Sequence, residues 1–271
     1  MVVGNEARTY LPGRAKSTRA EEYPLKSLFR RKPRPSAPAG ERIYAIGDVH
    51  GRADLLDALL DRIEEDSAAR GESADVIVLL LGDLVDRGPE SARAVETARS
   101  WSRGFAKLEA LLGNHEATML TVLRGHDDWL DSWLAFGGRQ TLVSYGVPSG
   151  LLSIGTSDEI IAAAQHVVPE AHLAWFERLP HQLRHGDYLF VHAGIRPGVD
   201  FDAQQPRDML WIREEFLNST ADHGAVVVHG HSIAPEIEDK PNRIGIDTGA
   251  FMTDRLSAVG LEGEARWFLQ T

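Results

Sequence analysis

The chain has 271 residues, 43% of them hydrophobic and 25% charged, with a net charge of −11 at neutral pH; this is an ordinary composition for a globular protein of one large or two small domains. No stretch reaches the roughly 18 uncharged apolar residues of a spanning helix, which excludes an integral helical membrane protein. The absence of cysteine excludes disulfides, thiolate zinc sites and a cysteine nucleophile, and fits a reducing, cytoplasmic setting.

Residues 1–40 carry nine Lys/Arg against three Glu, which leaves −17 on the rest of the chain. They also hold Pro12, Pro24, Pro33, Pro35 and Pro38 without sustained apolar periodicity. This composition predicts a basic, disordered arm, and no apolar core follows the basic residues as a secretory signal requires. A solvated arm is the plain reading. Contact with anionic lipid or a protein partner through Leu28-Phe29-Arg30-Arg31-Lys32 is the alternative. The acidic body disfavours nucleic acid as a partner, and any phosphate site within it needs local cations.

From residue 41 the pattern becomes that of a folded domain, 41–271. Ile43-Tyr44-Ala45-Ile46 predicts a strand, and Leu55, Leu56, Leu59, Leu60 and Ile63 predict the helix after it. Asp75 to Leu81 reads as a strand buried on both faces. An Ala-rich helix to Ser102 begins near Pro89, and a third strand spans Phe105 to Leu112. The middle, with an insert at about 117–180, is helical and broken at Gly137-Gly138 and Pro148; Trp129, Leu130, Trp133, Leu134 and Phe136 read as its core. Strands follow at 188–191, 225–228, 243–246, 256–259 and 265–269, the last two as a hairpin. Alternating strands and helices predict sheets faced by helices, with ligands at the carboxyl ends of the strands.

Those ends carry the chemistry. They read Asp48-Val49-His50-Gly51, Gly82-Asp83-Leu84-Val85-Asp86-Arg87-Gly88, Gly113-Asn114-His115-Glu116, His192-Ala193-Gly194, His229-Gly230-His231 and Ile246-Asp247-Thr248-Gly249. A mixed Asp/His/Asn donor set suits Mn²⁺, Fe or Zn²⁺ better than the all-oxygen cations. Asp48, His50, Asp83, Asn114, His192 and His231 can supply the roughly seven contacts of a metal pair with one bridging carboxylate. Such a pair, about 3.5–4 Å apart, activates water against phosphorus.

In this order, Asp48 to Gly51, Gly82 to Gly88 and Gly113 to Glu116 resemble the signature blocks of the phosphoprotein phosphatase family of calcineurin-like metallophosphoesterases. His192-Ala193-Gly194 and Gly230-His231-Ser232 resemble its two later histidine blocks. Gly137-Gly138-Arg139-Gln140-Thr141-Leu142 and Leu210-Trp211-Ile212-Arg213 are similar to the bacterial branch, which includes small protein phosphatases and symmetrical diadenosine tetraphosphate hydrolases. The resemblance implies an α/β (α+β) sandwich of two mixed β-sheets flanked by helices, and two divalent metal ions, Mn²⁺ first. By it, Asp48 and His50 hold the first ion, Asp83 bridges, and Asn114, His192 and His231 hold the second. Arg87, Asn114 and Arg213 bind the phosphoryl group. A metal-bridging hydroxide attacks phosphorus, and His115, held by Asp86, protonates the leaving oxygen.

The resulting expectation is a phosphoric monoester hydrolase of the protein-serine/threonine phosphatase type, acting on phosphorylated proteins or phosphopeptides. Symmetrical diadenosine tetraphosphate hydrolysis is the rival in the same chemistry. A catalytically weak phosphoprotein-binding module is the rival from another class, against which the complete ligand set and His115 speak. Arg213 could instead pair with Glu214 or Glu215, Asp247 reads as a turn or supporting acid, and His229 alternates in facing with His231. His126, His166, His172, His181, His185 and His223 read as solvated or packed.

Overall fold

The structure, a computed structural model, describes residues 1, 2, 4, 34–71 and 75–271. Most of the expected arm, including Leu28 to Lys32, lies outside the described residues. Residues 34–40 do not behave as an arm, because they belong to the folded unit Arg34–Thr271. Ala37 is buried and its N–H donates to the Gly263 carbonyl at 2.9 Å, while the Ser36 N–H donates to the Asp187 carboxylate and the Ser36 carbonyl accepts from the Asp187 N–H. Composition alone placed this boundary too late, since two prolines flank the buried residue.

Ten strands are described: β1 (Glu41–Ile46), β2 (Asp75–Leu80), β3 (Lys107–Ala110), β4 (Gln182–His185), β5 (Tyr188–Val191), β6 (Val226–His229), β7 (Glu238–Asp239), β8 (Arg243–Gly245), β9 (Ser257–Glu262) and β10 (Ala265–Gln270). They form two mixed sheets, ordered β10-β9-β1-β2-β3 and β4-β5-β6-β8-β7. In the first, β1, β2 and β3 run parallel and β9 runs antiparallel to β1. In the second, β5, β6 and β8 run parallel.

Alternation along the strands explains the layers. Ile43, Ala45, Ile77 and Leu79 point into one buried cluster, where they meet Phe190, Val228, Ile244 and Ile246 from the second sheet. Tyr44, Ile46, Val78 and Leu80 point the other way, onto helices. There lie α1 (Ala53–Ala69), α2 (Ser91–Arg99) and α3 (Asn114–Leu123), and the apolar stripe Leu56, Leu59, Leu60 and Ile63 of α1 is wholly buried. On this side also lies the insert: α4 (Leu130–Trp133), a kinked turn Leu134–Gly138, α5 (Arg139–Ser144), α6 (Ser149–Ile154), α7 (Ser157–Val167) and α8 (Glu170–Phe176). Leu189, Val191 and Val227 face a third cluster with Met209 of α9 (Pro206–Trp211) and Phe216 of α10 (Glu214–Leu217). A last turn, α11 (Ala250–Thr253), precedes β9.

The parallel strands all end at one edge of the sandwich, and the polar blocks of the sequence follow them there. No helix among the described residues is long and apolar enough to cross a membrane.

Candidate active site

The backbone at that edge is strained. His50, Asp83, Asp86, Arg87 and His231 have φ between 46° and 74°, five of the six non-glycine residues with positive φ among those described. Asp and His tolerate this region, but Arg does so rarely. Each such conformation costs about 1–3 kcal/mol and persists only where surrounding contacts enforce it. Here the contacts are short turns: the N–H groups of Val49 and His50 both donate to the Asp83 carbonyl, at 3.0 and 2.8 Å. Gly230 is needed for close approach, because a Cβ there would run into the Asp48 carboxylate.

Two clusters converge on one residue. His50, Asp83 and His115 present nitrogens and oxygens within 4.8 Å of one another, and so do Asp83, His192 and His231. Asp83 belongs to both. Its Oδ2 lies 3.5 Å from His50 Nε2 and 3.4 Å from His192 Nε2. Asn114 Oδ1 lies 2.8 Å from His192 Nε2 and 2.9 Å from His231 Nδ1. Asp48 stands slightly apart: its Oδ2 is 3.9 Å from His50 Nε2, and both its oxygens accept from the His231 N–H.

The protons show what this cluster can bind. His50 Nδ1 donates to the Val85 carbonyl and His192 Nδ1 to the Leu81 carbonyl, each at 2.9 Å, so both Nε2 atoms are turned towards Asp83. His231 Nε2 and Asp247 Oδ2 are buried and have no hydrogen-bond partner. Ring nitrogens and carboxylates this close in a buried site need a positive charge between them, either a proton or a metal ion. Burial opposes that charge on His192, yet Asp83 pushes its imidazolium up to about 10. Burial holds His50 down to about 3 and, with His192 beside it, His231 down to about 2. This set of imidazole, carboxylate and amide donors fits divalent transition-metal ions, one of which would take the place of the His192 proton, and Asp83 is the group placed to touch two.

Beside the clusters sits an acid–base unit. His115 Nδ1 lies 2.6 Å from Asp86 Oδ2. Asp86 also accepts from the Thr141 hydroxyl at 2.6 Å and from the Trp133 indole N–H at 3.0 and 3.1 Å. Burial pushes the Asp86 carboxyl above its ordinary value while His115 opposes; burial lowers His115, but Asp83 and Asp86 outweigh it and raise the imidazolium. The Arg87 guanidinium lies 2.8 Å from His50 Nε2 and 3.1 Å from His115 Nε2, so it spans the first cluster and the acid–base unit.

Three residues of this site were not singled out from the sequence. Glu116 accepts from four backbone N–H groups, of Asp83, Leu84, Val85 and Gly113, and so ties the loop after β2 to the loop after β3. Burial and the Asp83 charge push its carboxyl up to about 7, and the four donors favour its ionised form. Its position in the block Gly113 to Glu116 was the available signal. Trp133 reads as core and is buried, but its N–H serves Asp86. Thr141 lay within the segment that resembles the bacterial branch.

Other expectations resolve by position. Arg213 is not inside a helix; it stands at the N-cap position of α10, is exposed, and points Nη1 towards Ser232 Oγ at 3.5 Å. It has no ion pair with Glu214 or Glu215, and Glu215 pairs with Arg196. His231 faces the site, whereas His229 turns away to Arg243 and the Phe216 ring. Asp247 is buried and accepts from the Gly249 N–H. Burial pushes its carboxyl up, and its charge in turn contributes to holding Asp48 well above its ordinary value, where burial is the larger cause. His172 and His185 are held between hydrogen-bond partners elsewhere.

The core reading of the insert needs correction. Leu130 and Trp133 are buried, but Trp129 is 52% and Phe136 67% exposed. Trp129 lies on a single 3-10 turn and Phe136 in the kinked turn, where Gly137 has φ 123°, so neither keeps the helical phase that sequence spacing assumes. Both line a cavity of about 290 Å³ with Arg87, Asn114, His115, Trp211, Arg213 and His231. A second, wider cleft of about 830 Å³ meets it at Arg87 and Phe136 and includes Arg139, Gln140 and Phe251. Arg139 there donates to the Leu152 carbonyl at 2.8 Å.

Comparison with known proteins agrees with this arrangement. Residues 41–250 match the calcineurin-like phosphoesterase family. The symmetrical bis(5′-nucleosyl)-tetraphosphatase of Paracidovorax citrulli is 34% identical over 59% of this chain and 47% of its own length. Serine/threonine-protein phosphatase 1 of Salmonella typhimurium is 27% identical over 81% of this chain and 92% of its own. The chain thus spans about half the length of the tetraphosphatases it matches. A crystal structure provisionally named a diadenosine tetraphosphatase superposes with a TM-score of 0.58 at 20% identity, over 86% of this chain and 98% of the other, which shows the fold.

Proposed function

The chain belongs to the calcineurin-like phosphoesterase family, and from that premise we propose that it is a metal-dependent phosphomonoesterase acting on phosphorylated proteins. The observation that carries the chemistry is the pairing of two donor clusters through Asp83 beside the His115–Asp86 unit. The similarity along nearly the whole Salmonella protein phosphatase supports the substrate class, because the tetraphosphatase match stops at about half.

Asp48, His50, Asp83, Asn114, His192 and His231 would hold two divalent ions, Mn²⁺, Fe or Zn²⁺. When bound, the ions would lower the pKa of a water, so that hydroxide is present near neutral pH, and draw charge from the phosphoryl oxygens. Arg87 and Arg213, both on the wall of the smaller cavity, would bind those oxygens by charge-assisted hydrogen bonds, with the Asn114 amide beside them. His115 would give its Nε2 proton to the leaving oxygen. Asp86 fixes the ring through Nδ1 and favours the protonated form. Thr141 and Trp133 hold Asp86 in turn.

A second reading, dinucleoside tetraphosphate hydrolysis, is favoured by the higher identity to the tetraphosphatases and by the roomy cleft next to Arg87. One experiment separates them: turnover of phosphopeptides and of diadenosine tetraphosphate, side by side, with Mn²⁺. Faster cleavage of the dinucleotide would replace the protein-phosphatase reading. Binding of phosphopeptides without release of phosphate would favour a binding module.

A further inference from the structure

Three large aromatic side chains that line the smaller cavity are also open to solvent and so form its rim: Trp129, Phe136 and Trp211, the last 44% exposed. Single exposed apolar residues need no explanation, whereas several around one opening mark a binding surface. The three come from separate elements, a 3-10 turn, the kinked turn of the insert and the end of α9. Trp211 sets its ring edge-on to His231, with centroids 6.2 Å apart. None of them can act as acid, base or ligand in phosphoester cleavage, so their role lies with another part of the substrate.

The position of His115 says which part. It lines the same cavity as the aromatic rim, and in the functional reading above it serves the group that departs from phosphorus. We propose that the rim receives the leaving group and selects aryl phosphates, of which phosphotyrosine in a polypeptide is the substrate class. At about 290 Å³ the cavity suits a single ring, and it brings Trp129, Phe136 and Trp211 together with His115, whereas the wider cleft beyond Arg87 and Phe136 adds only Phe251 as a further aromatic. Flat rings offset-stack or meet edge to face, an arrangement that a serine side chain cannot use. In the reaction, a hydroxide oxygen, formed from water that has released one proton to solvent, bonds to phosphorus and the bond from phosphorus to the phenolic oxygen breaks. The electron pair leaves on that oxygen, and the His115 proton joins it, giving phenol and phosphate; a solvent proton afterwards restores His115. This inference rests on the phosphoester reading.

The test uses the full chain with Mn²⁺ and two peptides of one sequence, carrying phosphotyrosine or phosphoserine, with diadenosine tetraphosphate as a third arm. Wild-type protein should favour phosphotyrosine in kcat/KM. The double variant Trp129→Leu with Trp211→Leu should lower the phosphotyrosine-to-phosphoserine ratio about tenfold, the equivalent of about 1.4 kcal/mol. Calorimetric affinity for a non-hydrolysable phosphonomethyl-phenylalanine peptide should fall by a similar factor, which reads the rim without turnover. An unchanged ratio, or a loss confined to the dinucleotide, would overturn the inference. If wild-type protein cleaves no substrate, the phosphoester reading has failed, and the phosphonate affinities of wild type and variant alone decide the rim: equal values sink it.

Discussion

The strand-end loops and the helical insert meet at one carboxylate, Asp86, and follow opposite rules. In the loops, residue type is dictated by charge: Asp83 lies between two imidazole nitrogens, at 3.4 and 3.5 Å, on a backbone of φ 52°. In the insert, residue type follows packing, and only Trp133 and Thr141 among the described residues reach the Asp86 carboxylate from it. The loops should therefore tolerate no chemical change. The insert should tolerate change except at the few points where it holds a loop, and its rim is free to set what leaves phosphorus.

The largest effect should come from the loops. Asp83→Asn keeps the shape but removes the charge that both clusters share. Turnover should fall at least about 10³-fold, the upper end of what one preorganised electrostatic group supplies. Metal analysis should show fewer than two ions per chain. Two ions with near-normal turnover would break the bridging assignment. EDTA should abolish activity in wild-type protein, and Mn²⁺ should restore it.

Next comes the acid. General-acid help is worth about 10²–10⁴ in rate, most for a poor leaving group. His115→Asn should slow a phosphoserine peptide far more than p-nitrophenyl phosphate, whose phenolate departs unprotonated. Adding Asp86→Asn should cost little more, because the two act as one unit. Equal losses on both substrates with intact metal content would make His115 structural.

The contrast also explains what was legible in the sequence. Asp48, His50, Asp83, Asn114, His115, His192 and His231 stood at the ends of apolar runs, and strand topology gathers such ends at one edge. Parallel strands made the fold legible for the same reason. Glu116 escaped because an acid three residues into a helix reads as a local cap, whereas it also caps a loop more than thirty residues earlier in the chain. Trp129 and Phe136 were misread because spacing predicts burial only while a helix keeps its phase, and the kink at Gly137 breaks it.

That kink offers a smaller test. Gly137 has φ 123°, and a Cβ there would come within 2.5 Å of the Arg87 nitrogen. Its carbonyl accepts from that nitrogen at 3.3 Å. Gly137→Ala should cost about 1–3 kcal/mol in stability, as other substitutions into left-handed backbone do. Because Arg87 must move, KM for phosphopeptides should rise as well. Full stability, measured by denaturant unfolding, would mean that insert and loop are less tightly joined than the distances imply.

The smallest effect expected is also the one that best probes the meeting point. Trp133 is 1% exposed, and its N–H lies 3.0 and 3.1 Å from the two oxygens of Asp86. Trp133→Phe keeps most of the packing but removes that donor, while His115 and Thr141 still hold the carboxylate at 2.6 Å each. A hydrogen bond to a charged group is worth about 1.5–3 kcal/mol. With two partners remaining, only part of that should reach the transition state, so kcat on phosphoserine peptides should fall by up to about tenfold. If Trp133 acts by positioning Asp86, and through it His115, the change should cost almost nothing further once His115 is already Asn. If it is merely a core residue, the two losses should multiply. Turnover of p-nitrophenyl phosphate, which needs little proton transfer, should be less sensitive in the single variant than turnover of phosphoserine. Equal sensitivity together with multiplying losses would return Trp133 to the packing rules of the insert, and Asp86 would then be held by the loops and Thr141 alone.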